Sequence, residues 1–431
     1  MSTTLRILLA LLGGLAAGAL LRSFGGGLLP VAQSIADPLG GLWLSALRMG
    51  IVPLVFALVI TGIASASDTV GTGGLAARAL GLMVALLTLS AALAALLFPL
   101  ILSIWPVDGS AAAALRSVSA GEVPTAPAAA AWWQGIVPVN PVQAAAEGAM
   151  LPLVVFAVAF GFAVTRIEPE ARARLVGFFQ AMADALLVIV HWVLQLAPFG
   201  VFALAFLLGS RTGLEAAGAL LHYILMLLLL MLTMGLLVYP GAVLGARVGL
   251  RQFARAVLPA QVVAASTQSS LASLPAMVQG CREHLGVSAR VSSLVLPLAV
   301  SVFRLSSPGV NLAVALYGAH LYGVEPTLLQ LGTAIAVAVL TSMASVSLPG
   351  QLTFYTTATP IWLVLGLPLD LLPLLLAVEN IPDIARTVVN VTGDVAVTAT
   401  VERWAGDDCS AGAAAAERGR CRPPDRRPGG G

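Results

Sequence analysis

Apolar stretches long enough to cross a bilayer, about 20 residues each, recur over residues 5–21, 39–64, 79–104, 148–164, 175–208 and 217–243. The first is expected to be a transmembrane helix rather than a cleavable leader, because small residues pervade it and further spans follow. An Ala/Pro-rich loop, 106–140, separates the third and fourth spans, and Trp132 and Trp133 near its end suit an interfacial anchor. Beyond Arg255 the pattern becomes irregular. Residues 253–283 and 328–363 are apolar, yet each is broken midway by a polar, Pro-bearing segment: Ser266 to Ser270 before Leu274-Pro275, and Thr341 to Gly350. Non-helical backbone at membrane depth is tolerated only where it is buried in protein or lines a cavity. Dense Ser and Thr at both breaks therefore predicts two re-entrant hairpins around a central site rather than two kinked spans. Between them, the span 291–322 is interrupted by Phe303-Arg304-Leu305-Ser306-Ser307-Pro308, where Pro308 removes a helix donor.

The last span, 365–402, carries Glu379, Asp383, Arg386, Asn390 and Asp394. Steps of four, three, four and four residues put all five side chains on one face of a helix. Ionisable groups at this depth are costly, so they normally face a bundle interior or an aqueous path and mark a substrate or ion site. A stripe serving only to glue helices is built mainly from Ser, Thr and small residues instead. Arg304, mid-membrane in its own broken span, is too far from either end to snorkel and is expected to find an anionic partner among Glu379, Asp383 and Asp394.

Composition agrees. Of 431 residues, 59% are hydrophobic and 10% charged, against about a quarter charged in a soluble domain. An all-α integral membrane protein is expected. Every basic residue is arginine, and the net charge of +2 says little about partners; no nucleic-acid-binding feature is present. Cys281, Cys409 and Cys421 form neither a disulfide framework nor a metal-ligand spacing. His191, His222, His284 and His320 are scattered, and a satisfied or interfacial role is favoured for each. Arg6, Arg78, Arg166, Arg172, Arg174, Arg247, Arg251 and Arg255 gather at the ends that alternate spans place together, which puts the N-terminus in the cytoplasm. Residues 403–431, with Arg418, Arg420, Arg422, Arg426 and Arg427 among Gly, Ala and Pro, read as a disordered cytoplasmic tail.

The segment Asp383-Ile-Ala-Arg386-Thr387-Val-Val-Asn390-Val-Thr-Gly393-Asp394 resembles the pattern D-x-x-R-T-x-x-N-x-x-G-D of the dicarboxylate/amino acid:cation symporter family, the glutamate and aspartate transporters. Ile136 through Pro141, Met150 to Pro152, Ala197-Pro198-Phe-Gly200 and the tip Ser269-Ser270 before Leu274-Pro275 are similar to family signatures too. The resemblance covers residues 1–402. It implies a homotrimer in the cell inner membrane, with about eight spans and two re-entrant hairpins per subunit, inverted repeats and elevator-type movement. Residues 1–252 would be mainly scaffold, with the third and sixth spans moving with the transport core 253–402 (hairpins 253–283 and 328–363, spans 291–322 and 365–402). Carried over residue by residue, Arg386 would clamp a side-chain carboxylate and Asp383 accept an α-ammonium. Ser269, Ser270, Ser307, Thr387 and Asn390 would complete the pocket, and Ser342, Ser345, Ser347, Pro349 and Gly350 belong to the outer gate. Acid and base on adjacent turns favour L-aspartate or L-glutamate. No cofactor is implied beyond a co-transported ion.

The match fails where the family pattern N-M-D-G-T binds a cation. Here it is Phe303-Arg304-Leu305-Ser306-Ser307, and the polar cluster of the third span is reduced to Thr88 beside Ala85 and Leu89. A hard cation needs a cage of oxygens. The expectation is that Arg304 replaces bound sodium, and that Glu379, Asp383 or Asp394 carries a proton instead. The alternatives are a sodium-coupled dicarboxylate symporter, with Asn390 and Asp394 keeping a cation site, and a degenerate member that binds without coupled transport. A serine hydrolase using Ser269 or Ser270 lacks a base and a nucleophile elbow, and a channel lacks repeated filter motifs.

Overall fold

A computed structural model describes residues 3–24, 27–71, 74–116, 137–147, 150–213, 215–344 and 350–420, and among these the regular structure is helical. Thr3–Phe24 (α1), Leu28–Arg48 (α2), Ile51–Gly71 (α3) and Gly74–Ile104 (α4) lead into the short helices Gly109–Arg116 (α5) and Pro141–Ala146 (α6). Met150–Val164 (α7), Pro169–Gln195 (α8), Ala197–Thr212 (α9) and Glu215–Ala246 (α10) follow. The second part comprises Leu250–Thr267 (α11), Leu274–Leu285 (α12), Ala289–Val302 (α13), Ser306–Tyr322 (α14), Leu328–Ala344 (α15), Gly350–Val364 (α16), Leu372–Val378 (α17) and Asn380–Arg420 (α18).

Four described helical stretches are long and apolar enough to span a membrane: 77–104, 169–195, 217–246 and 289–322. Two stretches expected as single spans are each divided. Residues 39–64 break at Met49-Gly50 between α2 and α3. Residues 175–208 break at Leu196, where Pro198 opens α9 and has no N–H to continue the ladder of α8.

Small residues let the backbones meet. Gly14 and Gly18 of α1 lie against the Phe202 and Phe206 carbonyls of α9, and Gly209 of α9 lies against that of Leu15. This small-xxx-small contact suits helices that associate in lipid without a hydrophobic drive. Elsewhere α3 packs on α7 and α8, while α10, α11 and α13 pack on α18.

Both interrupted segments are pairs of helices packed on each other, α11 with α12 and α15 with α16. In the first pair Gln268, in the left-handed region at φ 53°, turns the chain. A Cβ on Gly280 of α12 would lie 2.0 Å from the Ala256 carbonyl of α11, so the arms require glycine there. Hydrogen bonds from Gln261 Nε2 to Thr392 Oγ1 (2.8 Å) and from Gln268 Nε2 to the Asn380 carbonyl (3.3 Å) fasten this hairpin to α18. Ser345, Ser347 and Pro349 lie outside the described residues; Ser342 is buried in α15 and Gly350 opens α16. The last helix continues to Arg420, into the tail for which disorder is expected, over an Ala-rich run suited to helix.

Candidate functional site

Two helix breaks build the site. Phe303 is extended (φ −104°, ψ 90°), which ends α13 and restarts the chain as α14. Its new N-terminus is capped from another helix: the Asn390 side-chain carbonyl accepts from the Ser306 N–H at 2.8 Å and the Ser306 hydroxyl at 2.9 Å. The Ser306 hydroxyl also lies 3.2 Å from the Arg386 carbonyl. The second break is at Glu379, between α17 and α18. Pro382 there has no N–H for the Val378 carbonyl, so the five-residue polar stripe starts in a joint rather than within one continuous helix. The N-terminal ends of α14 and α18 thus converge, and the positive ends of their dipoles favour an anion between them.

A polar cavity of about 180 Å³ occupies that junction. It is lined by Ser269 and Ser270 from the first hairpin tip, Arg304 and Ser307 from the broken span, and Asp383, Arg386, Thr387 and Asn390 from α18. These are eight of the residues the sequence singles out. Gln268, Leu271, Val300 and Thr353 also contribute walls that the sequence reading missed. Glu379 and Asp394 do not line it; they are buried behind it, 1% and 0% exposed.

Arg386 is held from two sides. Its Nη2 donates to Glu379 Oε1 at 2.5 Å and its Nη1 to Asn311 Oδ1 at 2.9 Å, while Nε, also buried, has no acceptor. Asn311 Nδ2 donates in turn to Thr357 Oγ1 of the second hairpin at 2.7 Å. A guanidinium has five N–H groups, so three remain for a guest. Asp383 faces the cavity with no hydrogen-bond donor on its carboxylate among the described residues; Thr387 donates to its backbone carbonyl at 2.8 Å. Asn311 was the most legible residue left out: a lone amide in an apolar helix is itself a signal.

Arg304 makes no direct ion pair among the described residues, although Asp383 and Asp394 lie within electrostatic reach of it. Its Nη1 donates to the Thr353 hydroxyl at 2.9 Å. Glu379 is already taken by Arg386, and the half-buried Arg304 reaches the cavity, where a charge is less costly than in lipid. Asp394 likewise receives no hydrogen bond on either oxygen. The neighbouring Gly393 backbone is packed on apolar side chains: a Cβ there would meet Leu305 at 2.8 Å and Phe303 at 3.2 Å. Beyond them lies a second cavity of about 200 Å³, walled by Leu82, Leu86, Leu89, Leu305 and neighbours from α10 and α18. Thr88 is exposed and donates to its own helix.

A model of the sodium:dicarboxylate symporter family matches residues 3–404, which covers both helix breaks, both hairpins and the cavity. The chain belongs to that family. Relatives span nearly the whole length. The proton/sodium-glutamate symport protein of Geobacillus stearothermophilus is 26% identical over 384 residues, 88% of this chain and 89% of its own. The proton/glutamate-aspartate symporter of Escherichia coli strain K12 is 25% identical over 383 residues, 86% and 85% of the two chains. A C4-dicarboxylate transport protein of Anaeromyxobacter sp. strain K is 29% identical over 394 residues, 89% and 87%. Family membership makes this an all-α membrane protein of the glutamate-transporter-like class.

Proposed function

We propose that this chain is a proton-coupled symporter for an acidic amino acid, L-aspartate or L-glutamate. The observation that carries the reading is the buried Arg386–Glu379 pair, whose Arg386 lines a polar cavity together with Asp383. A guest carboxylate suits the bidentate fork of Arg386 better than any single internal oxygen does, and Asp383 is placed to accept an ammonium. Once a guest takes over Arg386, Glu379 is a buried carboxylate without a counter-charge. Stripping one partner from such a pair costs about 3–5 kcal/mol; a proton on Glu379 removes that penalty. Binding of the acid and uptake of one proton are thereby the same event. Ser269, Ser270, Ser307 and the amide of Asn390 supply donors for the second carboxylate, and Thr387 completes the wall beside them.

Arg304 serves as the fixed cation of the site, in place of a bound sodium. The sequence Phe303-Arg304-Leu305-Ser306-Ser307 supports sodium independence, because a hard cation needs a cage of oxygens and the side chains of Phe303, Arg304 and Leu305 supply none. In this reading the core 253–402 moves against a scaffold drawn mainly from 1–252, within a homotrimer of the inner membrane whose termini are cytoplasmic.

One observation favours a second reading. Two guanidinium groups, Arg304 and Arg386, line one cavity, and a C4 diacid held between them would not need Asp383. The test is uptake of L-aspartate and succinate by purified protein in liposomes, under a sodium gradient and then a proton gradient. We expect aspartate uptake driven by protons alone, and a loss of at least about a hundredfold in affinity for Arg386→Ala, corresponding to an unsatisfied buried charge. Strict dependence on sodium, or an Arg386→Ala affinity equal to wild type, rejects the reading; succinate preferred over aspartate installs the second.

A further inference from the structure

Away from the cavity, a buried polar cluster sits where α10 meets α14 and the end of α4. The His222 ring, on α10, is 8% exposed. Its Nε2 lies 3.0 Å from the Trp105 carbonyl and its Nδ1 lies 3.2 Å from the Tyr317 hydroxyl. That hydroxyl is also 3.0 Å from the Ala219 carbonyl. A carbonyl can only accept, so Nε2 must carry a hydrogen, and the neutral ring therefore presents a bare Nδ1 to Tyr317.

Tyr317 has one hydrogen and two acceptors within reach. With a neutral ring, its hydroxyl donates to Nδ1. When Nδ1 gains a proton, the N–H donates to the Tyr317 oxygen and the hydroxyl hydrogen turns to the Ala219 carbonyl. One N–H bond forms, the O–H bond of the arriving acid breaks, and no heavy atom moves. Neither state leaves a donor without an acceptor, which is the usual cost of charging a buried ring. The Trp105 and Tyr317 rings lie 5.3 and 5.8 Å from the imidazole and suit its cationic form.

The cluster leads in both directions. His320, exposed near the end of α14, interacts electrostatically with His222 and offers contact with the membrane edge marked by Trp105. On the inner side, the Tyr223 ring stacks edge-on with Tyr317 at 5.2 Å. Its hydroxyl is fully buried with no partner, within the electrostatic reach of Glu379 and Arg386. Glu379 Oε2 is buried and without a partner as well. Helix α14 joins the two ends: Asn311, which holds Arg386, lies six residues or about 9 Å of helix before Tyr317.

We propose that His222, with Tyr317 as its hydroxyl rotor, is a proton-loading residue that supplies the Glu379–Arg386 site from the membrane edge at Trp105. The inference rests on proton coupling as proposed above. The titratable and charged groups that face the imidazole are Tyr317 and His320 on α14 and Tyr223 on its own helix, with Glu379 and Arg386 beyond.

The full-length protein in liposomes decides it, with aspartate binding and aspartate uptake measured under an inside-alkaline gradient of about one pH unit. His222→Gln keeps a donor for the Trp105 carbonyl; it should bind aspartate within about twofold of wild type yet lose about tenfold or more of the gradient-driven rate. Tyr317→Phe keeps the ring packing and should lose rate in the same sense. A His222→Gln protein driven by the gradient as well as wild type overturns the assignment while leaving proton coupling intact. Wild type that binds aspartate but ignores the gradient overturns proton coupling, and this inference with it. Should His222→Gln fail to fold, Tyr317→Phe carries the test, and a gradient-driven rate equal to wild type in that variant overturns the proposal.

Discussion

Glu379 is the residue on which the coupling argument turns. Its carboxylate makes one short bond to Arg386 through Oε1, and Oε2 has no donor. A carboxylate so placed serves as an internal substitute for the guest. Glu379→Gln keeps the shape and a carbonyl oxygen for the guanidinium but cannot take a proton. Aspartate binding by this variant should become independent of pH over the range where wild type binds more tightly as acid is added, and exchange should outlast net gradient-driven uptake. Calorimetric titration at two pH values reads the first; a variant that keeps the wild-type pH dependence assigns the proton elsewhere. At this scale the sequence was informative because charged side chains in an apolar helix have few other reasons to exist. Eight of its candidates line the cavity. What it could not supply was pairing: periodicity puts Glu379 and Arg386 on one face, but only the break at Pro382 turns Glu379 behind the pocket. Nor could it show that Arg304 gives its hydrogen bond to Thr353, with Asp383 acting on it only at longer range.

Among the elements, the first hairpin places Ser269 and Ser270, and its two arms meet backbone to backbone at Gly280. Any side chain there must displace the Ala256 carbonyl, which lies on the buried face of α11 with Phe253, Val257 and Ala260. Gly280→Val should lower the melting temperature of the purified protein and weaken aspartate binding together, with a cost of about 1–3 kcal/mol from overpacking. A variant with normal melting and binding shows that the arms separate freely. Both hairpins were legible as elements because a polar, proline-bearing interruption in an apolar run has no stable place in lipid unless it folds back. The breaks at Met49-Gly50 and Leu196 were not, since neither adds polar residues; the apolar pattern simply continues through a change of direction.

For the molecule as a whole, the apolar surface is extensive. Leu28, Val31, Ile35, Leu39 and Leu42 form an outward stripe along α2, at spacings of three and four residues. Such a face belongs in lipid or against another protein surface. The class of fold was readable from hydropathy because a bilayer restricts spanning structure to a few forms. Which helices neighbour which was not, because lipid-facing and protein-facing leucines look the same in a sequence. The enclosed salt link has a final bearing on energetics across the membrane. With Glu379 closed onto Arg386, Arg304 opposed across the cavity by Asp383, and a proton on the buried, partnerless Asp394, the vacant carrier ferries little net electricity on its homeward leg. Membrane voltage, worth about 2.3 kcal/mol per elementary charge at 100 mV, therefore has scant grip on that step. Currents recorded from vesicles without guest should stay flat as the potential is swept.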